Sequence, residues 1–143
     1  MKRLISTLVI ASFAVFASAE AFAGGRVIID QSGSFNGVGA VQQGSSNFIR
    51  LYQKKSRNSA VIQQFGNGNT GVTGQDGYFN NASSLQSGNG NVSGVAQIGN
   101  KNKAKTAQSG NGNVQGVIQV GNGNDATASQ YGDGNISVVI QGN

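Results

Sequence analysis

Gln86-Ser87-Gly88-Asn89-Gly90-Asn91-Val92-Ser93-Gly94-Val95-Ala96-Gln97 is one full copy of the pattern that decides this fold: a glutamine, a glycine two places on, an asparagine five places on, and the next glutamine 11 residues from the first. Glutamine holds that phase at Gln31, Gln42, Gln53, Gln64, Gln75, Gln86, Gln97, Gln108, Gln119, Gln130 and Gln141. Asparagine keeps it at Asn36, Asn47, Asn58, Asn69, Asn80, Asn91, Asn102, Asn113, Asn124 and Asn135. An unslipped short period marks a repeat architecture, in which each unit contacts its neighbours and none is stable alone.

Between each asparagine and the next glutamine, strand alternation puts the first, third, fifth and seventh residues on one face. That face reads Asn47, Ile49, Leu51, Gln53 in one copy and Asn91, Ser93, Val95, Gln97 in another, two small or aliphatic residues between two amides. The opposite face varies freely, with Phe48, Arg50 and Tyr52 in one copy and Lys103, Lys105 and Ala107 in another. A constrained face beside a free one predicts an interior and an exterior. Four turn residues link the strands, as in Phe65-Gly66-Asn67-Gly68, and glycine and asparagine reach positive φ at low cost. The form Gly-x-Gly-Asn marks every second turn, at Gly66, Gly88, Gly110 and Gly132, with Gly121 an extra copy.

The unit is therefore a strand-turn-strand of 22 residues, with five such units spanning 36 to 53, 58 to 75, 80 to 97, 102 to 119 and 124 to 141, and a lead-in strand from Gly25 to Gln31 lying outside them. A two-stranded ribbon alone is marginal in water. Stacking unit on unit at ~4.8 Å, with two facing sheets around a dry apolar seam, predicts an all-β, two-sheet β-solenoid with cross-β stacking. Columns of Gln and Asn at the seam's edges bond to their own copies above and below. A slip that is not a whole unit strands buried amides at ~1–3 kcal/mol per unpaired group, so the columns specify register.

The chain begins with a positive Met1-Lys2-Arg3, an apolar stretch from Leu4 to Phe16 and a small-x-small Ala21-Phe22-Ala23, the pattern of a signal peptide cleaved ahead of Gly24. The apolar stretch is shorter than the ~20 residues of a spanning helix, so a secreted product with no membrane insertion is expected. There is no Cys, His or Pro among the 143 residues. Beyond residue 23, eight Lys and Arg face Asp30, Asp76, Asp125 and Asp133, a net of +4. Gly- and Asn-rich, charge-poor composition is also that of disordered chains, but disorder has no use for a fixed period.

The repeat resembles that of the curlin family, whose units carry Gln-x-Gly-x-x-Asn, a small residue two places after the Asn, and a further Gln. The resemblance runs from about Gln31 to Gln141 and makes residues 36–143 a curlin-repeat amyloid domain preceded by a short segment, 24–35. It implies an exported subunit of curli, the bacterial functional amyloid of biofilm matrix and surface adhesion: an extracellular fibre, or fimbrium, on the cell surface. The implied partners are copies of itself, a second curlin subunit, and an outer-membrane curli secretion pore with accessory factors. Two roles stand open, the fibre subunit and the minor curlin that nucleates the fibre; the intact, apolar last unit, Ile136-Ser137-Val138-Val139-Ile140-Gln141, favours the first. Lys55 replaces the usual glycine in Lys54-Lys55-Ser56-Arg57, a departure from the family pattern.

No enzyme and no cofactor are expected, since without His or Cys acid-base chemistry would rest on scattered Asp, three of them in or beside turns. The Gly-x-Gly-Asn turns join strand to strand and open no helix, which sets them apart from phosphate-binding loops. Thr70, Thr73, Thr106 and Thr127 share no column, so no ice-binding face is expected, and no calcium-binding repeat is present. Lys54, Lys55, Arg57, Asp76 and Lys101 are read as charges at turns and edges that restrain premature aggregation. The alternative is a binding edge for extracellular DNA or acidic polysaccharide, and more distantly a monomeric β-solenoid module for polyanions.

Overall fold

Strand and turn alternate at the phase set by the amides. The computed structural model describes residues 24–143, so the signal peptide expected over 1–23 lies outside the described residues. Eleven strands follow in order: β1 (Arg26–Gln31), β2 (Gly37–Gln43), β3 (Phe48–Ser56), β4 (Ser59–Phe65), β5 (Thr70–Tyr78), β6 (Asn81–Ser87), β7 (Val92–Asn100), β8 (Lys103–Ser109), β9 (Val114–Asn122), β10 (Asp125–Tyr131) and β11 (Ile136–Gly142). The odd strands form one parallel sheet of six, in the order β1-β3-β5-β7-β9-β11. The even strands form a facing sheet of five, β2-β4-β6-β8-β10.

Every pairing runs at an offset of 22 residues, so Gln53 lies over Gln75, Gln75 over Gln97 and Gln97 over Gln119. The chain is a two-sheet β-solenoid of about five turns, the architecture predicted from the period. Each unit is an arc and not a hairpin. Strands joined by a turn lie in opposite sheets, and their backbone groups are satisfied by the strands one full turn below and above. β1 pairs with β3 in unbroken register from Arg26 over Phe48 to Gln31 over Gln53. The lead-in strand is thus the first member of the six-stranded sheet.

The interior holds two apolar clusters. Ala40, Ile49, Leu51, Ala60 and Ile62 fill the amino-terminal half. Ala82, Val95, Ala104, Val117, Ala126 and Ala128 fill the carboxy-terminal half. Beside the carboxy-terminal cluster the expected apolar seam is interrupted by hydroxyls, with Ser84 Oγ donating to Ser93 Oγ at 2.9 Å and Ser93 Oγ 3.0 Å from Thr106 Oγ1. Hydroxyls are tolerated there because each finds another within hydrogen-bond reach. Gly71 occupies an inward position where a Cβ would press to 2.9 Å on Ile62 Cγ2, so the large Ile62 is offset by a missing side chain across the seam.

Candidate functional site

The amides form continuous columns. In the six-stranded sheet Gln31, Gln53, Gln75, Gln97, Gln119 and Gln141 pass Nε2 to Oε1 bonds of 2.6–2.9 Å. In the five-stranded sheet Gln42, Gln64, Gln86, Gln108 and Gln130 do so at 2.8–3.1 Å. Nε2 also donates to a carbonyl 16 residues back in the facing sheet, as Gln97 does to Asn81 and Gln108 to Val92, both at 3.0 Å. Those bonds tie one sheet to the other at every half-turn. In the interior of the stack both amide hydrogens are used.

The asparagines close the turns. Asn47 Oδ1 accepts the backbone N–H of Asn69 at 2.9 Å, and its Nδ2 donates to the Gly66 carbonyl of the next turn at 2.8 Å. Asn36, Asn58, Asn80, Asn91, Asn102 and Asn113 likewise accept from the asparagine one turn on. The side-chain oxygens of Asn124 and Asn135, at the last turn, accept no hydrogen bond among the described residues, while their Nδ2 groups donate backward to Asn102 and Asn113.

Because these bonds have direction, the two ends of the stack are complementary. Gln130 and Gln141 reach only the carbonyls of Val114 and Asp125, at 3.1 and 3.0 Å, leaving one amide hydrogen each unused. At the opposite end Gln31 and Gln42 donate to Gln53 and Gln64 while their own Oε1 atoms accept nothing among the described residues. In the glutamine columns one end offers amide hydrogens and the other Oε1 acceptors, each at the position an interior copy would occupy.

The turns lie along two edges. At the second turn position Gly66, Gly88, Gly110 and Gly132 share one edge and Gly121 lies on the other, all with φ between +93° and +116°. A Cβ on Gly66, Gly88 or Gly110 would run into the carbonyl of the next turn's glycine, which is why the stack admits glycine there. Lys55 takes this position with φ +70°. Its ammonium lies 3.1 Å from Asp76 Oδ1 and 5.9 Å from the Tyr78 ring centre. Lys54 is the register neighbour of Asp76 as well.

The fourth turn position is left-handed throughout. One edge uses Ser46, Gly68, Gly90, Gly112 and Gly134 there, but the other stacks Phe35, Arg57, Phe79, Lys101 and Gly123 at φ +58° to +72°. Arg57 lies 5.8 Å from the Phe35 ring centre and 5.0 Å from that of Phe79. Lys101 stands next in the column beyond Phe79, beside an open groove of about 480 Å³ lined by Phe79, Lys101, Lys103, Gly123, Asn124 and Asp125. The basic residues therefore interleave with aromatics, an arrangement the spacing alone did not reveal.

Gln115 was missed as well. It points inward in the column of small residues between Ser93 and Ser137, is 2 % exposed, and neither Nε2 nor Oε1 has a partner. Its place in the 11-residue frame, two after Asn113, was the available signal. Among the described residues no three His, Cys, Asp or Glu side chains group as a metal site would require.

No family model matches this chain, and no curated protein matches it.

Proposed function

We propose that this chain is the structural subunit of a curli-type functional amyloid fibre, exported to the bacterial surface, where copies add head to tail and build adhesive biofilm matrix. The carrying observation is the pair of complementary open ends. Each end leaves a row of backbone groups unpaired, and such an edge is a template for another strand. The Gln and Asn columns supply a register that a chain with the same 11-residue frame matches along its whole width. A second curlin subunit as surface nucleator and a dedicated outer-membrane pore belong to the same reading. The fibre role is favoured over the nucleating one because β11 keeps the full motif at the open end.

Residues 24–143, purified unfolded, should convert after a lag to dye-binding fibres whose diffraction shows the ~4.7–4.8 Å strand repeat. A chain that stays monomeric for weeks at high concentration would remove the fibre reading. Polyanion binding is a second activity that the Phe35, Arg57, Phe79, Lys101 column favours, since aromatic faces and cations alternate along one edge.

A further inference from the structure

The two sheets have different numbers of strands. Both β1 and β11, the first and last described strands, belong to the sheet of six, and the facing sheet has five. If copies were related by translation alone, β11 would meet β1 of the next copy, while β10 and β2 would be left one strand apart with a slot between them. Two facing rows of unpaired backbone groups would line that slot at every junction.

We infer, resting on the fibre reading above, that successive copies are instead turned by half a revolution about the fibre axis, so that the sheets exchange. β10 then pairs with β1 of the next copy and β11 with its β2, each continuous sheet alternates six strands with five, and no slot remains. The operation keeps strand direction, because strands of the two sheets run oppositely and a half-turn about the stacking axis reverses them. A contact of this kind does not close and so makes a filament.

Three features of the chain support the half-turn over translation. The amide bonds make no distinction between the sheets: Gln97 to Asn81 and Gln108 to Val92 are the same bond of 3.0 Å, although Gln97 lies in one sheet and Gln108 in the other. A half-turn therefore brings Gln31 and Gln42 of the next copy over Gln130 and Gln141 in a normal column. Charge also matches. Counting the 22-residue register across the junction, Asp125 of β10 meets Arg26 of the next β1, whereas translation sets Arg26 over Ile136. Size matches too: the exposed Ile136, Val138 and Ile140 come to lie beside Gly37, Gly39 and Val41, whereas translation sets them beside Arg26, Ile28 and Asp30.

The chain has no cysteine, so an introduced pair reports the junction cleanly. Under the half-turn Ile140 stands beside Val41 of the next copy; under translation it stands beside Asp30. Neighbouring Cα atoms of a sheet, ~4.8 Å apart, lie within the ~4.4–6.8 Å that a disulfide spans. The double variants Ile140→Cys with Val41→Cys, and Ile140→Cys with Asp30→Cys, are grown into fibres under reduction, oxidised, dissolved in denaturant and run without reductant. The first should give a ladder of covalent multimers and the second monomer. A ladder from the second, or none from the first, overturns the half-turn. Images of the unsubstituted fibre supply an independent measure: the half-turn requires one subunit per five and a half strand spacings, about 26 Å, and translation one per six, about 29 Å. Fibres with the longer rise remove this geometry alone; a chain that forms no fibre removes the fibre reading and the geometry together.

Discussion

At the residue scale, two positions break the repeat and each yields a signed prediction. Gln115 buries an amide with no partner, and an unsatisfied buried polar group costs ~1–3 kcal/mol. Gln115→Val should stabilise the freshly prepared monomer by about 1–2 kcal/mol in urea unfolding, because the aliphatic chain stays and the orphaned amide goes. Gln119→Val should do the reverse, by about 2 kcal/mol or more, since it strands the Gln97 amide, the Lys103 carbonyl and Gln141 at once. Equal effects at the two positions would show that ladder membership carries no energy. Lys55 occupies a left-handed position that costs an L-residue ~1–2 kcal/mol. Lys55→Gly should therefore be more stable than Lys55→Ala by about 1 kcal/mol, both having lost the Asp76 ion pair, whereas in an ordinary strand glycine is the worse of the two. Should alanine prove the better substitute, the left-handed turn would not form in solution.

At the scale of the element, strand polarity decides which substitutions should touch growth of the proposed fibre and which the monomer. The first outward residue of a strand donates its N–H toward the next turn of the stack, as Val92 does to Asn113 and Val114 to Asn135, each at 2.8 Å. Alternation then points the N–H groups of Ile136, Val138 and Ile140 toward the open end, and that of Val139 back toward β9. Val138→Pro should cut seeded elongation tenfold or more while leaving the monomer's circular dichroism intact, since proline is tolerated at a free edge and refuses the next strand. Val139→Pro should also loosen β11 itself, by removing a bond to β9. The lead-in strand behaves as an element of equal weight. Ile28→Pro would be mild if β1 stood outside the units, but paired in register with β3 it should melt β1 and impair growth about as much as Val139→Pro. Unimpaired elongation by Val138→Pro would move the growing end away from β11.

For the whole molecule, the proposed fibre requires identical copies carrying a net +4 beyond residue 23 to approach and stack. The Debye length falls to ~8 Å at 0.15 M salt, below the ~10 Å that separates cations two turns apart, so salt should shorten the lag before fibres appear. Replacing Lys54 by Gln together with Lys55 by Gly should shorten that lag at low salt and change it little at high salt. A lag indifferent to both would assign these lysines to another task, with DNA or acidic polysaccharide binding the next measurement.

The period, the inward face, the turns and the two-sheet solenoid are legible in the residues alone, because an 11-residue phase admits one stacking in which every amide meets its own kind. The amide columns and turn glycines were legible because each repeats one local rule. Other features emerge with the folded stack: consecutive strands form arcs, β1 completes a sheet of six, hydroxyls interrupt the seam, Arg57 lies between two rings, and Gln115 is buried without a partner. One cause is common to all of these. They depend on which residues lie 9, 13 or 22 positions apart across the stack, and those meetings exist only once the sheets are paired and face each other.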